Sequence, residues 1–110
     1  MADQRGTPTF TADLARALVE IVAGGRAPYG TYHVTNTGTT TWYEFACRTV
    51  ELAGLPEVAV RPIPAADWPA PVRRPANSAL VSPVRDALGG PAMRPWPEAL
   101  AEFVEAVGDA

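Results

Sequence analysis

The chain has 110 residues, of which 47% are apolar and 19% charged, and its net charge is −3. This length and composition fit one globular domain with a thin core and exclude a largely disordered protein. The acidic balance, with no clustered basic face, excludes a nucleic-acid partner. All nine basic residues are arginines, so chemistry that needs a lysine amine cannot come from this chain.

The cysteine and histidine counts restrict the cellular compartment and metal chemistry. A single cysteine, Cys47, cannot form an internal disulfide, and together with the single histidine, His33, it cannot complete a zinc site. The first ten residues lack the apolar core of a secretion signal, and no run approaches the roughly 18 apolar residues of a membrane span. These features predict a cytoplasmic protein with no membrane partner.

The first half of the chain predicts a helix, a strand and a second helix. The first helix has Thr11 as its N-cap and ends at the glycine pair 24–25. Its apolar stripe consists of Leu14, Leu18, Ile21 and Val22. The segment 32–34, Tyr-His-Val, predicts a strand. Thr41 and Glu44 then form a capping box that opens a helix ending at Gly54.

The second half predicts an edge strand followed by two helices. The segment 58–64, "VAVRPIP", alternates like a strand but contains prolines, which favour a sheet edge. Ser82 and Pro83 start a short helix, and Pro97 starts the last one. The apolar stripe of that last helix consists of Leu100, Phe103, Val104 and Val107. Because a sheet of two or three short strands is marginal alone, we expect this α/β chain to be part of a larger structure.

Four segments resemble one enzyme family in its order and spacing. They are "DQRGTPTFTADLARAL", "GTYHVTNTGTTTWYEFACRTVELAG", "RRPANSAL" and "WPEALAEFV". Together they are similar to the C-terminal, substrate-binding part of the dTDP-4-dehydrorhamnose reductases, which belong to the extended short-chain dehydrogenase/reductases. The resemblance covers nearly the whole chain.

The resemblance implies a fold and an activity. The fold would be a partial extended short-chain dehydrogenase/reductase fold, with about four helices and two or three short strands in residues 1–110. The family uses NADPH, or sometimes NADH, to reduce the 4-keto group of a dTDP-linked 6-deoxy sugar. The chain has no glycine-rich phosphate loop and, without lysine, no Tyr-x-x-x-Lys pair. We therefore expect the Rossmann cofactor half to be absent, no cofactor to bind to this chain, and no catalysis by the chain alone.

Arg73 and Arg74 are the first candidates for substrate binding. A guanidinium group grips a phosphate through two parallel N–H bonds, so paired arginines suit a diphosphate. Pro75 holds Arg74 in an extended conformation. The alternative is that one or both arginines form surface salt bridges. Asn77 is a further candidate, although Asn77 and Ser78 are also residue types that fix a loop by bonding its backbone.

Thr7 and Thr9 complete the set of predicted substrate-binding residues. In the related proteins this segment passes the substrate pocket, whereas the alternative is a plain edge strand with a turn. Trp42, in the first turn of an amphipathic helix, is predicted to be a core residue rather than a stacking platform. Trp68 and Trp96 are expected to fasten loops to helices. His33 and Cys47 are expected to be structural.

Two further interpretations compete with a substrate-binding domain. The chain could be a non-catalytic interaction or regulatory module derived from the reductase fold, or a fragment with no independent role. In either case apolar surface would be exposed and would favour a homodimer or another partner, such as the missing Rossmann half.

Overall fold

A computed structural model of the protein describes residues 1–25, 28–90 and 92–108, and the side chain of Val84 is left aside. The described residues form four α-helices, one 3₁₀ turn and a two-stranded antiparallel sheet. In chain order the elements are β1 (Arg5–Gly6), α1 (Thr11–Gly24), β2 (Thr40–Thr41), α2 (Trp42–Leu52), the 3₁₀ turn (Ala65–Asp67), α3 (Pro83–Ala87) and α4 (Trp96–Gly108). The α/β class and the four helices are confirmed.

Helix α1 starts from a backbone cap rather than from the predicted threonine side chain. Phe10 is the N-cap, and its carbonyl accepts a 3.1 Å hydrogen bond from the Leu14 N–H. The Phe10 N–H is itself held by Asn36 Oδ1 at 2.8 Å, so a distant side chain fixes the start of the helix. The predicted end is confirmed, since Gly25 has a φ of 61°, a left-handed conformation that suits glycine.

Helix α2 begins at the predicted capping box. The Thr41 hydroxyl accepts a 3.1 Å hydrogen bond from the Glu44 N–H, and Glu44 Oε2 accepts one of 3.0 Å from the Thr41 N–H. Both bonds satisfy backbone donors that the first helical turn would leave free. α3 starts at Pro83 as predicted, whereas α4 starts at Trp96, one residue before the predicted proline.

One strand of the sheet, β1, falls in the N-terminal segment for which an edge strand was one interpretation, whereas the other, β2, was not predicted. β1 pairs antiparallel with β2, with Arg5 opposite Thr41 and Gly6 opposite Thr40. The predicted strands at 32–34 and 58–64 are wrong, because both segments are irregular. A segment forms a strand only when it pairs with a partner strand. In the segment 58–64 the Ile63 carbonyl accepts a hydrogen bond from the Ala2 N–H, but no ladder of such bonds forms.

The core is thin and lies mainly between α2 and α4. Phe45 packs against Trp96 with ring centroids 5.8 Å apart, and Phe10 packs edge-on against Phe103 at 5.9 Å. Among the described residues the buried apolar side chains are Ala17, Ala99 and Leu100. The prediction that Trp42 is a core residue is wrong, since 62% of it is exposed. The predicted stripes of α1 and α4 are also partly uncovered, as the exposure of Leu18, Val22, Phe103 and Val107 shows.

Candidate functional site

The candidate site lies where the loop that carries the paired arginines joins the N-terminal strand. The Arg5 N–H donates to the Ala76 carbonyl at 2.8 Å, and the Ser78 N–H donates to the Arg5 carbonyl at 2.9 Å. The Ser78 hydroxyl also donates to the Arg5 carbonyl, at 3.2 Å. These bonds hold the loop beside β1, whose other edge pairs with β2 at the start of α2. Three segments distant in sequence therefore meet at one surface.

Two cavities open at this junction. The first, which we call the threonine cavity, has a volume of about 400 Å³, within the range of roughly 300–1,000 Å³ common for ligand pockets. Residues that line it include Thr7, Thr35, Thr40, Thr41 and Ser78. Its lining therefore includes five hydroxyl-bearing residues, of which Thr40 and Ser78 already donate their hydroxyl protons to Glu44 and to the Arg5 carbonyl.

The second cavity, which we call the tryptophan cavity, is larger. Its volume is about 1100 Å³, and Trp68, Pro69, Pro71, Val72 and Arg73 are among the residues that line it. Its wall combines an aromatic ring, rigid prolines and one guanidinium group.

A common wall separates the two cavities. It consists of Gln4, Trp42, Arg74 and Pro75, which line both cavities. Trp42 and Arg74, both exposed, therefore contribute to the lining of either cavity. A cation on this wall is placed to contact an anionic group that spans both cavities.

The structure brings together three of the five predicted substrate-binding residues. Arg74 and Thr7 line the threonine cavity, and Arg74 and Arg73 line the tryptophan cavity. Thr9 lies apart, in a separate apolar cleft of about 190 Å³ beside Phe45 and Trp96.

Asn77 lies outside both cavities, and its side chain has a local structural contact. Its Oδ1 accepts a 3.0 Å hydrogen bond from the Ala79 N–H, two residues further along the chain. Its backbone forms a parallel bridge with Arg5. These contacts match the loop-fixing alternative, while substrate contact by Asn77 stays a prediction.

A carboxylate stands close behind the threonine cavity. Hydrogen bonds from the Thr41 backbone and the Thr40 hydroxyl, together with the nearby Arg5 charge, lower the pKa of Glu44. Glu44 is therefore ionised at neutral pH, and it holds Thr40 by a 3.1 Å hydrogen bond. The carboxylate therefore orients two threonines of the cavity wall, Thr40 and Thr41.

A buried polar network, which sequence reasoning missed, fixes the segments behind the site. Asn36 is fully buried, and its Nδ2 donates to Asp13 Oδ2 at 2.7 Å and to the Arg94 carbonyl at 3.1 Å. Arg94 donates to both oxygens of Asp13, at 2.8 and 2.9 Å. Arg94 also pairs with Glu102 at 2.6 Å.

The network lowers the pKa of Asp13 from 3.8 to about 2, chiefly through the hydrogen bond from Arg94 and despite the opposing effect of burial. Asn36 also holds the Phe10 N–H, which connects the network to the segment that contains Thr7. In the sequence, the only sign of this network was Asp13 in the first turn of a helix. The helix dipole alone explains an acidic residue at that position.

Four other residues with sequence predictions differ in their surroundings. Trp96 packs closely over Gly38, whose φ of 90° and missing side chain permit the approach. Trp68, by contrast, is 57% exposed and lines a cavity. His33 is exposed, and Cys47 is half-buried and not disulfide-bonded. No group of side chains suited to a metal ion occurs among the described residues.

The described elements form an α/β domain. The threonine cavity and the tryptophan cavity together form a groove in it, whose lining residues carry hydroxyl, aromatic and guanidinium groups. Residues 1–108 match the family described as RmlD substrate binding domain, and the chain belongs to this family. A dTDP-4-dehydrorhamnose reductase from Streptomyces griseus is 42% identical over 108 residues, which cover 96% of this chain and 36% of that protein.

Solved structures agree in fold with these sequence relatives. A dTDP-4-dehydrorhamnose reductase from Clostridium acetobutylicum superposes with a TM-score of 0.91 at 35% identity, covering 98% of this chain and 38% of that one. The enzyme from Bacillus anthracis, solved in complex with NADP, gives a TM-score of 0.86 at 35% identity and covers 94% of this chain and 36% of that one. The chain thus spans little more than a third of the length of these relatives.

The chain lacks the sequence pattern of a dinucleotide-binding loop. The sequence has no glycine-rich loop between a strand and a helix, and no lysine. Glycines with positive φ, such as Gly25 and Gly54, stand near helix ends. In the part of the chain that the structure describes, no helix combines the length and apolarity needed to cross a membrane.

Proposed function

We propose that residues 1–110 are the substrate-binding domain of a dTDP-4-dehydrorhamnose reductase-like oxidoreductase, and that they bind a dTDP-linked 4-keto-6-deoxy sugar. The observation that carries the proposal is the position of Arg74 on the wall between two cavities, in a chain of the RmlD substrate binding family. A guanidinium group at this place would hold the diphosphate that joins nucleoside and sugar.

The contribution of this chain to the reaction would be binding and orientation. By holding the diphosphate and the sugar hydroxyls, Arg74 and Thr7 would fix the position of the sugar carbonyl relative to the reductant. NADPH would supply the hydride from another part of the protein, because this chain lacks the sequence pattern of a dinucleotide-binding loop. The isolated chain is therefore expected to be inactive, and a cytoplasmic location is part of this proposal.

A titration of the 110-residue chain with dTDP tests the proposal. We expect measurable binding by isothermal titration calorimetry at low ionic strength. Arg74→Ala should weaken it by about 10- to 100-fold, the loss expected for a charge-assisted bidentate contact. Arg73→Ala should have a smaller effect, because Arg73 lines a single cavity.

Arg61→Ala is the matched control, since Arg61 is an exposed arginine outside both cavities. Its affinity for dTDP should equal that of the unmodified chain. Failure of the unmodified chain to bind dTDP, or equal losses in Arg61→Ala and Arg74→Ala, would contradict the proposal. NADPH oxidation by the 110-residue chain alone would contradict the expected inactivity.

A non-catalytic interaction module is the second candidate function. The observation that favours it is the exposed apolar surface of α1 and α4, including Val22 at 80% exposure and Val107 at 57%. Such surface usually lies in an interface. A chain that binds no dTDP but forms a stable complex through this surface would support the module over the substrate-binding domain.

A further inference from the structure

We infer that residues 57–61, Glu-Val-Ala-Val-Arg, form a contact surface for a second copy of this chain, which pairs with them as an antiparallel strand around a two-fold axis at Ala59. The inference is independent of the proposed function, because these residues line neither the threonine cavity nor the tryptophan cavity. Three features of the 57–61 segment carry it.

The first feature is a backbone whose hydrogen-bonding groups are available. The 57–61 segment lies at the surface, with Val60 half-buried and the other residues exposed. The Val58 N–H donates to the Leu55 carbonyl at 3.1 Å, and no other backbone hydrogen bond to residues 57–61 occurs in the part of the chain that the structure describes. A strand-forming segment with unpaired N–H and carbonyl groups is a template for pairing with another chain.

The second feature is that the side chains of the segment alternate as they do in a strand. Val58 and Val60 both line a cleft of about 460 Å³ that lies against α2. Ala59, between them, is exposed and lies outside this cleft. Alternation of this kind places every second side chain on one face of a strand. Pairing of two copies would therefore bring the valines of both together on one face, where they bury apolar surface.

The third feature is the order of the residues around Ala59. Glu57 and Arg61 stand at equal distances on either side of it, and so do Pro56 and Pro62. When Ala59 lies opposite Ala59 in an antiparallel pair, Glu57 of one copy lies opposite Arg61 of the other, where opposite charges stabilise the pair. Among the described residues, neither Glu57 nor Arg61 forms a salt bridge within its own chain. Both charges are therefore available to a second copy.

The two prolines limit the pairing to one register. Proline has no N–H to donate to a ladder of hydrogen bonds, so Pro56 and Pro62 confine the pairing to residues 57–61. A slip by one residue would turn the valines of one copy to the opposite face. Because so short a pair buries less than the roughly 1,200 Å² of a stable interface, we expect a dissociation constant of about 1 mM. At the far lower concentrations of sedimentation velocity this contact does not form.

The test follows backbone amide resonances by nuclear magnetic resonance while the concentration of the chain is raised through about 1 mM. All samples carry Leu18→Glu and Val22→Glu, which remove large exposed apolar side chains of α1 from the measurement. The amides of residues 57–61 should shift with concentration, and isotope-filtered nuclear Overhauser contacts should connect Val58 of one copy with Val60 of another. Resonances of residues 57–61 that stay unchanged across this range would overturn the inference.

Charge variants test the register of the pair. Glu57→Arg and Arg61→Glu each place like charges opposite each other, and each should weaken the pairing by about 10-fold. An equimolar mixture of these two variants restores opposite charges at both places and should recover the shifts. Glu105→Arg, at an exposed position of α4, is the matched control and should pair like the parent chain. Single variants that pair as well as this control, or a mixture that pairs no better than its components, would contradict pairing around Ala59.

Discussion

The Asp13 carboxylate, which is only 6% exposed, accepts hydrogen bonds from three side chains. Arg94 and Asn36 come from distant parts of the chain, and Arg16 comes from the same helix. A buried carboxylate is costly unless its charge is compensated and its oxygens are hydrogen-bonded. Here both conditions are met, and the network connects α1, the loop at Asn36 and the segment that leads into α4.

Asp13→Asn should lower the free energy of unfolding by about 2 kcal/mol at pH 7, the equivalent of the pKa shift from 3.8 to about 2. Because the folded-state pKa is the lower one, this contribution is complete above pH 4 and is lost as the pH falls to about 2. Urea unfolding at several pH values measures this contribution. In acid, the free energy of unfolding of Asp13→Asn should fall less than that of the unmodified chain. The exposed pair of Arg48 and Glu51 provides the control, since Glu51→Gln should cost less than about 1 kcal/mol. Equal losses would contradict the role of Asp13.

The position of Asp13 in a first helical turn was visible in the sequence, but its partners were not. Asn36 and Arg94 lie 23 and 81 residues away from it, and no local pattern marks either as its partner. The arginine pair was visible because two guanidinium groups before a proline are unusual in any element. Which of the two arginines faces both cavities depends on how the loop pairs with Arg5, which is a contact between distant residues.

At the scale of elements, helices were predicted better than strands for a physical reason. A helix is stabilised by contacts within four residues, so the capping box at Thr41 and the glycines after α1 mark its ends in the sequence. A strand needs a partner that the sequence does not name. Thr40–Thr41 became a strand because β1 lies beside it, whereas the apolar segment 32–34 has stronger strand propensity but is irregular.

Thr41 belongs to β2 and also caps α2, so its side chain couples the sheet to the helix beside the threonine cavity. Thr41→Ala should lower the free energy of unfolding by about 1 kcal/mol, because the Glu44 N–H loses its acceptor. Denaturant unfolding measures the change. Thr39→Ala is the control, since Thr39 is exposed and contacts Arg5 through its backbone carbonyl. A Thr41→Ala chain as stable as the control would contradict the capping role.

At the scale of the whole molecule, the chain is less compact than its length allows. Its radius of gyration is 16.3 Å, whereas a compact domain of this length has about 13 Å. The apolar stripes of α1 and α4 followed the predicted helical periodicity, but Leu18 is 50% exposed and Phe103 45%. Periodicity shows which face of a helix is apolar. It does not show whether the same chain supplies the surface that covers that face.

The exposed stripe of α1 should make the isolated chain associate as its concentration rises. Replacing Leu18 and Val22 together by glutamate removes two large exposed apolar side chains and should keep the chain monomeric, as sedimentation velocity would measure. Because both side chains are at least 50% exposed, the free energy of unfolding should change by no more than about 1 kcal/mol. The control, with glutamate at Ala15 and Ala23, adds the same charge at exposed positions of α1 and leaves the large apolar side chains in place, so it should still associate. An unmodified chain that stays monomeric at every concentration, or a control that behaves like the Leu18 and Val22 variant, would show that this stripe does not drive association.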